Sequence, residues 1–211
     1  MSSLRLADQE TWADLSTYVA RARRLEEDGA IRLLASGTAL AAWVGVVKGR
    51  GLLGEGTTVG LRVLELAEPA NLDVVVSLSA VADRLARHSD DHRLPIPPMT
   101  VQTTWAAVSP PRSGWRPVTQ VPIETLRRTA TDGLEALAVS AREPLSAVRQ
   151  ETERQRVWSA SIPLPAAADG LSASVALGAH ALGFLVGDEA TVYTAGRWYR
   201  LTTPAGHVLV R

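Results

Sequence analysis

Residues Val74-Val-Val-Ser-Leu-Ser-Ala-Val-Ala-Asp-Arg-Leu85 set a run of β-branched side chains directly against an amphipathic segment. Three consecutive valines suit a strand. Val81, Ala82 and Leu85 then recur at helical spacing after Ser79, a residue type that caps helices, so a strand is expected to pass into a short helix with almost no loop. The unit comes back later in the chain. Val76-Ser-Leu-Ser-Ala-Val-Ala-Asp-Arg-Leu-Ala86 aligns without gaps on Ile162-Pro-Leu-Pro-Ala-Ala-Ala-Asp-Gly-Leu-Ser172, and Leu78, Ala80, Ala82, Asp83 and Leu85 find identical partners in Leu164, Ala166, Ala168, Asp169 and Leu171. Thr100-Val-Gln-Thr103 and Thr191-Val-Tyr-Thr194 follow as strand starts. A strand-to-helix unit present twice predicts an α+β chain of two related halves, mostly antiparallel strands with packed helices.

Working outward, Asp8 can cap a helix over Asp8 to Asp28 whose apolar face is Trp12, Leu15, Val19, Ala22 and Leu25, with Gly29 as its stop. Ile31 to Ser36 and Ala39 to Val47 read as a hairpin about Gly37, Thr58 to Leu66 as a third strand, Asp73 to Leu78 as a fourth, and Val101 to Val108 as another after a proline-containing loop. Residues 109–122 carry four prolines and Gly114, the composition of a linker, because proline cannot donate to a strand ladder. The expected organisation is therefore residues 1–108 as a helix plus antiparallel sheet, 109–122 as linker, and 123–211 as a helix-rich half ending in a three-stranded meander. In that second half Ile123, Leu126, Ala130, Leu134 and Leu137 form a helical stripe behind Pro122, and Pro144 to Arg154 is a second amphipathic stretch leading into a strand from Arg156 to Ile162. Pro165 opens an uncharged helix through Leu171, Val175, Leu182 and Leu185. The meander is Ala190 to Ala195, Arg197 to Thr203 and His207 to Arg211, turning at Gly196 and at Pro204-Ala-Gly206.

With 211 residues, 46% of them hydrophobic, the chain can bury a substantial core. Its 22 basic and 22 acidic side chains cancel, so any affinity for nucleic acid or another polyanion has to come from a local patch. Cysteine is absent, which removes disulfides, thiolate metal sites and thiol nucleophiles and agrees with a cytoplasmic protein. No secretory signal opens the sequence, and the longest uncharged run, Gly170 to Gly187, contains too much glycine, serine and histidine to read as a membrane span. Lys48 is the only lysine, an arginine bias that points to a GC-rich bacterial genome.

The catalytic motifs are thin. Gly49-Arg-Gly-Leu-Leu-Gly54 matches the dinucleotide pattern G-x-G-x-x-G, but strand-like residues follow it where a helix is required, so a loop is expected. His88 and His92, with Asp90 and Asp91 between them, have metal-ligand spacing on a helix; they stand instead where the chain runs into Leu94-Pro95, and a solvated loop is expected with no metal and no cofactor. His180 and His207 read as packing residues. The sequence has no G-x-S-x-G, phosphate-binding loop or H-E-x-x-H, and no catalytic residue is assigned.

Arginines are the more suggestive feature: Arg21, Arg23 and Arg24 on the first helix, Arg84 and Arg87 on the second, and Arg127 and Arg128 after the linker could together track a phosphate backbone. The competing expectation is a solvated face paired with neighbouring acids. The order of the first half, a helix, a hairpin about Ala35-Ser-Gly37, further strands, then Val74 to Leu85 and another strand, resembles a domain of the DNA sliding clamps. The segment from Ser161 to the closing hairpins is similar to the later part of such a domain. In that family repeated domains place helices inside a ring and strands outside, with basic residues of the inner helices facing the duplex. The resemblance thus implies a non-enzymatic clamp-like binding or scaffold protein, with self-association and DNA contact through the arginines named above. The second half departs from that pattern by reading as helix between Leu137 and Arg156. Two rival expectations are an enzyme using a pocket between the halves near His88, His92 or Trp115, and a winged-helix-like DNA module made of the last helix and a hairpin bearing Arg197 and Arg200.

Overall fold

In the computed structural model the chain divides into two compact units, residues 1–45 with 59–109 and residues 46–58 with 110–211. The structure describes residues 3–51, 54–87, 91–142, 146–164 and 170–211. Both units combine antiparallel strands with packed helices, and the chain is α+β.

In the first unit, strand β1 (Ser3–Arg5) is followed by helix α1 (Gln9–Leu25). Asp8 caps α1: its Oδ1 accepts the backbone N–H and the hydroxyl of Thr11, both at 2.8 Å. These bonds hold the Asp8 carboxyl below its ordinary value of 3.8. Trp12, Leu15, Tyr18, Val19 and Ala22 form the buried stripe that the spacing predicts, and the Tyr18 hydroxyl donates to Ala42 O at 3.3 Å.

The strand runs β2 (Ala30–Val47) and β3 (Thr58–Ser77) each span two of the four shorter strands that the sequence suggested. The expected reversal at Gly37 fits the burial: Ile31, Leu33 and Ala35 match Val44, Ala42 and Leu40 across it, residues 36–39 are exposed, and Gly37 takes the left-handed φ of 60° that a tight turn uses. Arg32 reaches Ala106 O at 3.3 Å while Gly45 lies against the Trp105 ring, so the two arms of β2 meet neighbouring residues. Across the strand pair, Asp73 accepts two bonds from the Arg32 guanidinium at 2.8 Å each. Helix α2 (Leu78–Arg87) follows β3 without a loop, as expected, although Ser77 rather than Ser79 caps it by accepting from Ala80 N at 3.2 Å. Strand β4 (Arg93–Pro95), within the expected loop, pairs with β1. Residues Thr104–Ala107 are a 3-10 turn and not the expected strand, because Trp105 turns inward against β2, so closely that a Cβ on Gly45 would stand 2.7 Å from its ring.

The second unit contains β5 (Arg116–Pro122), α3 (Ile123–Ser140), α4 (Ala147–Ser159), α5 (Ser174–Leu182), β6 (Glu189–Ala195), β7 (Trp198–Thr203) and β8 (Gly206–Val210). The closing meander matches its expectation closely, with β6, β7 and β8 paired antiparallel in turn. Residues 116–122, expected as linker, are a strand paired with β6. Their prolines are tolerated because β5 has a strand neighbour on one side only, the register shifts between Pro117 and Thr119, and Pro122 is the last residue.

Helix α3 starts behind Pro122 and buries Ile123, Leu126, Ala130 and Gly133. The strand expected from Arg156 is instead the last turn of α4, whose Trp158 is buried with Ala173 and Leu177. Helix α5 begins at Ser174, well after the expected start at Pro165, which lies outside the described residues together with Ala166, Ala168 and Asp169. The two copies of the repeat differ at their last leucine: Leu85 is helical, whereas Leu171 accepts the Ile162 N–H at 2.9 Å beside the Ser161–Ser172 bridge. Helix α5 buries every residue except His180 and Ala181 and stops at left-handed Gly183. No helix among the described residues is long and apolar enough to cross a membrane.

A Cβ on Gly133 would stand 2.5 Å from Cζ3 of Trp158. Gly133→Ala should therefore destabilise the protein by about 1 kcal/mol in urea unfolding, since overpacking of about 1–3 kcal/mol outweighs a helix-propensity gain of about 1 kcal/mol. Net stabilisation would show that Trp158 can retreat. Asp8→Ala should lower the melting temperature at pH 7. Because the folded carboxyl titrates below its unfolded value, this difference is fully present above pH 3.8 and shrinks as the pH falls below it, which thermal melts from pH 7 to pH 2.5 would reveal.

Candidate functional site

The arginines singled out by sequence fall on three helices. Arg21, Arg23 and Arg24 are on α1 and Arg84 and Arg87 on α2, two helices that pack on each other in the first unit. Arg127 and Arg128 are on α3 of the second unit. Several are engaged locally. Arg84 donates to Ala80 O at 2.8 Å, Arg87 lies 3.7 Å from Asp83, and Arg127 lies 3.5 Å from Glu124 and donates to Leu185 O at 3.4 Å. Arg23 buries its Nε without a hydrogen-bond partner. Arg21, Arg24 and Arg128 make no ion pair among the described residues, and Arg24 and Arg128 are exposed.

His88 lies outside the described residues. His92 takes a positive φ of 54° and sets its Nε2 3.0 Å from Gln9 Oε1. On the closing meander, Arg200 stacks between two rings, 4.6 Å from the centroid of Trp115 and 4.6 Å from that of Tyr193. Burial holds its guanidinium below the usual arginine value, with Tyr193 acting in the opposite sense. Trp115 donates its indole N–H to Pro111 O at 3.0 Å. These residues brace the meander. The winged-helix reading is weakened at α5, which buries every residue except His180 and Ala181 and so presents little surface to a groove.

Sequence reasoning missed a cleft of about 300 Å³ lying wholly within the second unit. One wall is the arm of residues 46–58, where Arg50 and Glu55 exchange backbone bonds at 2.8 and 3.0 Å. The arm is fastened to the end of β8: Gly56 N donates to Arg211 O at 2.8 Å, and Arg211 N donates to Thr57 O at 3.1 Å. Behind it, the buried Thr58 and Ser174 hydroxyls are 2.7 Å apart, and Ser174 is 2.5 Å from Ser172. Val47, Val210, Trp158 and Tyr199 give the cleft an apolar lining, and Ser159 and Ser172 add hydroxyls. Its charged groups are Lys48, Arg50, Arg197 and Arg211 against the single carboxylate Glu55. Among the described residues, Arg50, Arg197 and Arg211 have no ion-pair partner. Neither His92 nor Trp115 lines this cleft. The G-x-G-x-x-G segment was the available signal: it supplies Arg50 on the arm, and the next element is strand β3, not a helix.

The family described as Domain of unknown function (DUF8010) matches residues 1–106, half of the sequence. The chain belongs to that family. Residues 110–211 match a second family, Domain of unknown function (DUF8185), so the two family matches meet near the start of β5. No curated protein matches the chain. Among solved structures it is similar to the DNA polymerase sliding clamp from Caulobacter crescentus, with a TM-score of 0.57 and 12% identity over 100% of this chain and 65% of that one. At that identity the likeness is one of fold, and the chain spans about two thirds of the clamp's length.

If the guanidinium plane is what braces the meander, Arg200→Ala and Arg200→Lys should each cost about 1 kcal/mol in urea unfolding, since an ammonium does not stack as a planar fork does. Equal stability of Arg200→Lys and the parent would mean that the stack contributes nothing.

Proposed function

We propose that this chain is a non-enzymatic, clamp-like binding or scaffold protein. The observation that carries the reading is the fold likeness to a DNA polymerase sliding clamp along the whole chain. The sequence supports it through arginines on α1, α2 and α3, the helices that would meet a phosphate backbone in a clamp-like arrangement. The division at the 109–122 segment is part of the same reading, with each half serving as one clamp-like domain. Self-association would use strand edges such as β5, which pairs on one side only. Ion pairs at Arg87 and Arg127 reduce the charge these helices offer, so contact with DNA would be non-specific and sensitive to salt.

The test is binding of duplex DNA over a salt series, with sedimentation velocity reporting oligomeric state. Arg24, Arg87 and Arg128 are all exposed, so their combined replacement by alanine should leave the fold intact. The parent should bind DNA as an oligomer. The triple variant should bind at least tenfold more weakly at 0.1 M salt and lose about three units from the log–log salt slope, roughly one per phosphate contact. Identical binding by parent and variant would remove these helices from the reading, and a strictly monomeric parent that binds no DNA would overturn the clamp-like function.

A further inference from the structure

We propose that the cleft of the second unit is a binding site for a small organic phosphate with a flat ring, the class of nucleoside diphosphates. Charge selects the anion. Arg50, Arg197 and Arg211, which have no ion-pair partner among the described residues, line it with one carboxylate, Glu55, so three positive groups less one negative leave a formal surplus of two in a protein whose overall charge is zero. A carboxylate ligand would compensate half of that surplus, whereas a phosphate ester carries two or three negative charges. Guanidinium forks match phosphate oxygens in pairs.

Shape and lining select the rest of the ligand. The volume of about 300 Å³ stands at the lower end of the range of about 300–1,000 Å³ typical of small-molecule sites. The half-buried Tyr199 and Val47 supply aromatic and apolar surface against which a ring can lie, and the cations provide the phosphate end. Polynucleotide is not the ligand this arrangement fits, because the cations converge on one cleft instead of tracking along a helix face. The backbone of the site is in place: the arm that carries Lys48 and Arg50 is held by backbone bonds to Arg211, and its base by the hydroxyls of Thr58 and Ser174. The ordering cost of binding is then that of the exposed cationic side chains.

Isothermal titration calorimetry of the full chain with ADP, GDP and UDP, and with adenosine and inorganic phosphate as controls, tests the inference. At least one diphosphate should bind at micromolar concentration, with adenosine and inorganic phosphate at least tenfold weaker. Arg50 and Arg197 are exposed and hold no ion pair, so Arg50→Ala and Arg197→Ala should fold normally by circular dichroism and each weaken binding about tenfold. The Arg24, Arg87 and Arg128 triple variant should bind the nucleotide as the parent does, which separates this site from the DNA reading. Failure of all three diphosphates, equal binding of inorganic phosphate, or parent-like affinity in both cleft variants would overturn the proposal.

Discussion

Two backbone hydrogen bonds join Arg211 to Gly56 and Thr57 and fasten a segment from the first third of the chain to its last strand. Much of the second unit depends on that clasp. Val46 and Val47 pack on the cluster of Trp158, Ala173 and Leu177 because the arm is held there, and the buried hydroxyls of Thr58 and Ser174 satisfy each other only while it stays. The same clasp sets Lys48 and Arg50 beside Arg197 and Arg211, so one constraint shapes both a core and a charged cleft.

A second constraint is the tight contact between α3 and α4. Gly133 lets the Trp158 ring lie against the α3 backbone, and this turns the end of α4 inward. Residues 156–159, with β-branched and aromatic side chains, have the composition of a strand, and tertiary packing overrides that preference. Close approach also shapes the rest of the unit. Gly178 of α5 admits Val208 of β8 at 2.9 Å, and Gly206 of β8 admits the Phe184 ring, just beyond α5, at 2.6 Å from the place a Cβ would take, so a glycine opens each contact.

Two kinds of positive surface coexist in a chain of zero net charge. The helical arginines are spread over exposed faces and partly answered by neighbouring acids. The cleft cations converge and have one acid among them. Both sets are open to screening by salt, and what distinguishes the cleft is the convergence of its cations beside an apolar wall. A scaffold can use the first for association and the second for recognition of a small molecule, since the fold alone does not dictate either.

Periodicity by itself determined the elements whose burial is one-sided and local: α1 with its Asp8 cap and stripe, the strand-to-helix passage at Ser77, α3 behind Pro122, and the closing meander with its glycine turns. The arginine helices were legible for the same reason. Only the tertiary structure decided the features that join distant segments. Residues 116–122 read as linker until an edge beside β6 accepts their prolines. The two copies of the repeat differ at Leu85 and Leu171, the first helical and the second beside the Ser161–Ser172 bridge. The cleft left no local pattern, because its cations come from residues 48, 50, 197 and 211, and side chains so far apart in sequence converge only after backbone bonds close the chain on itself.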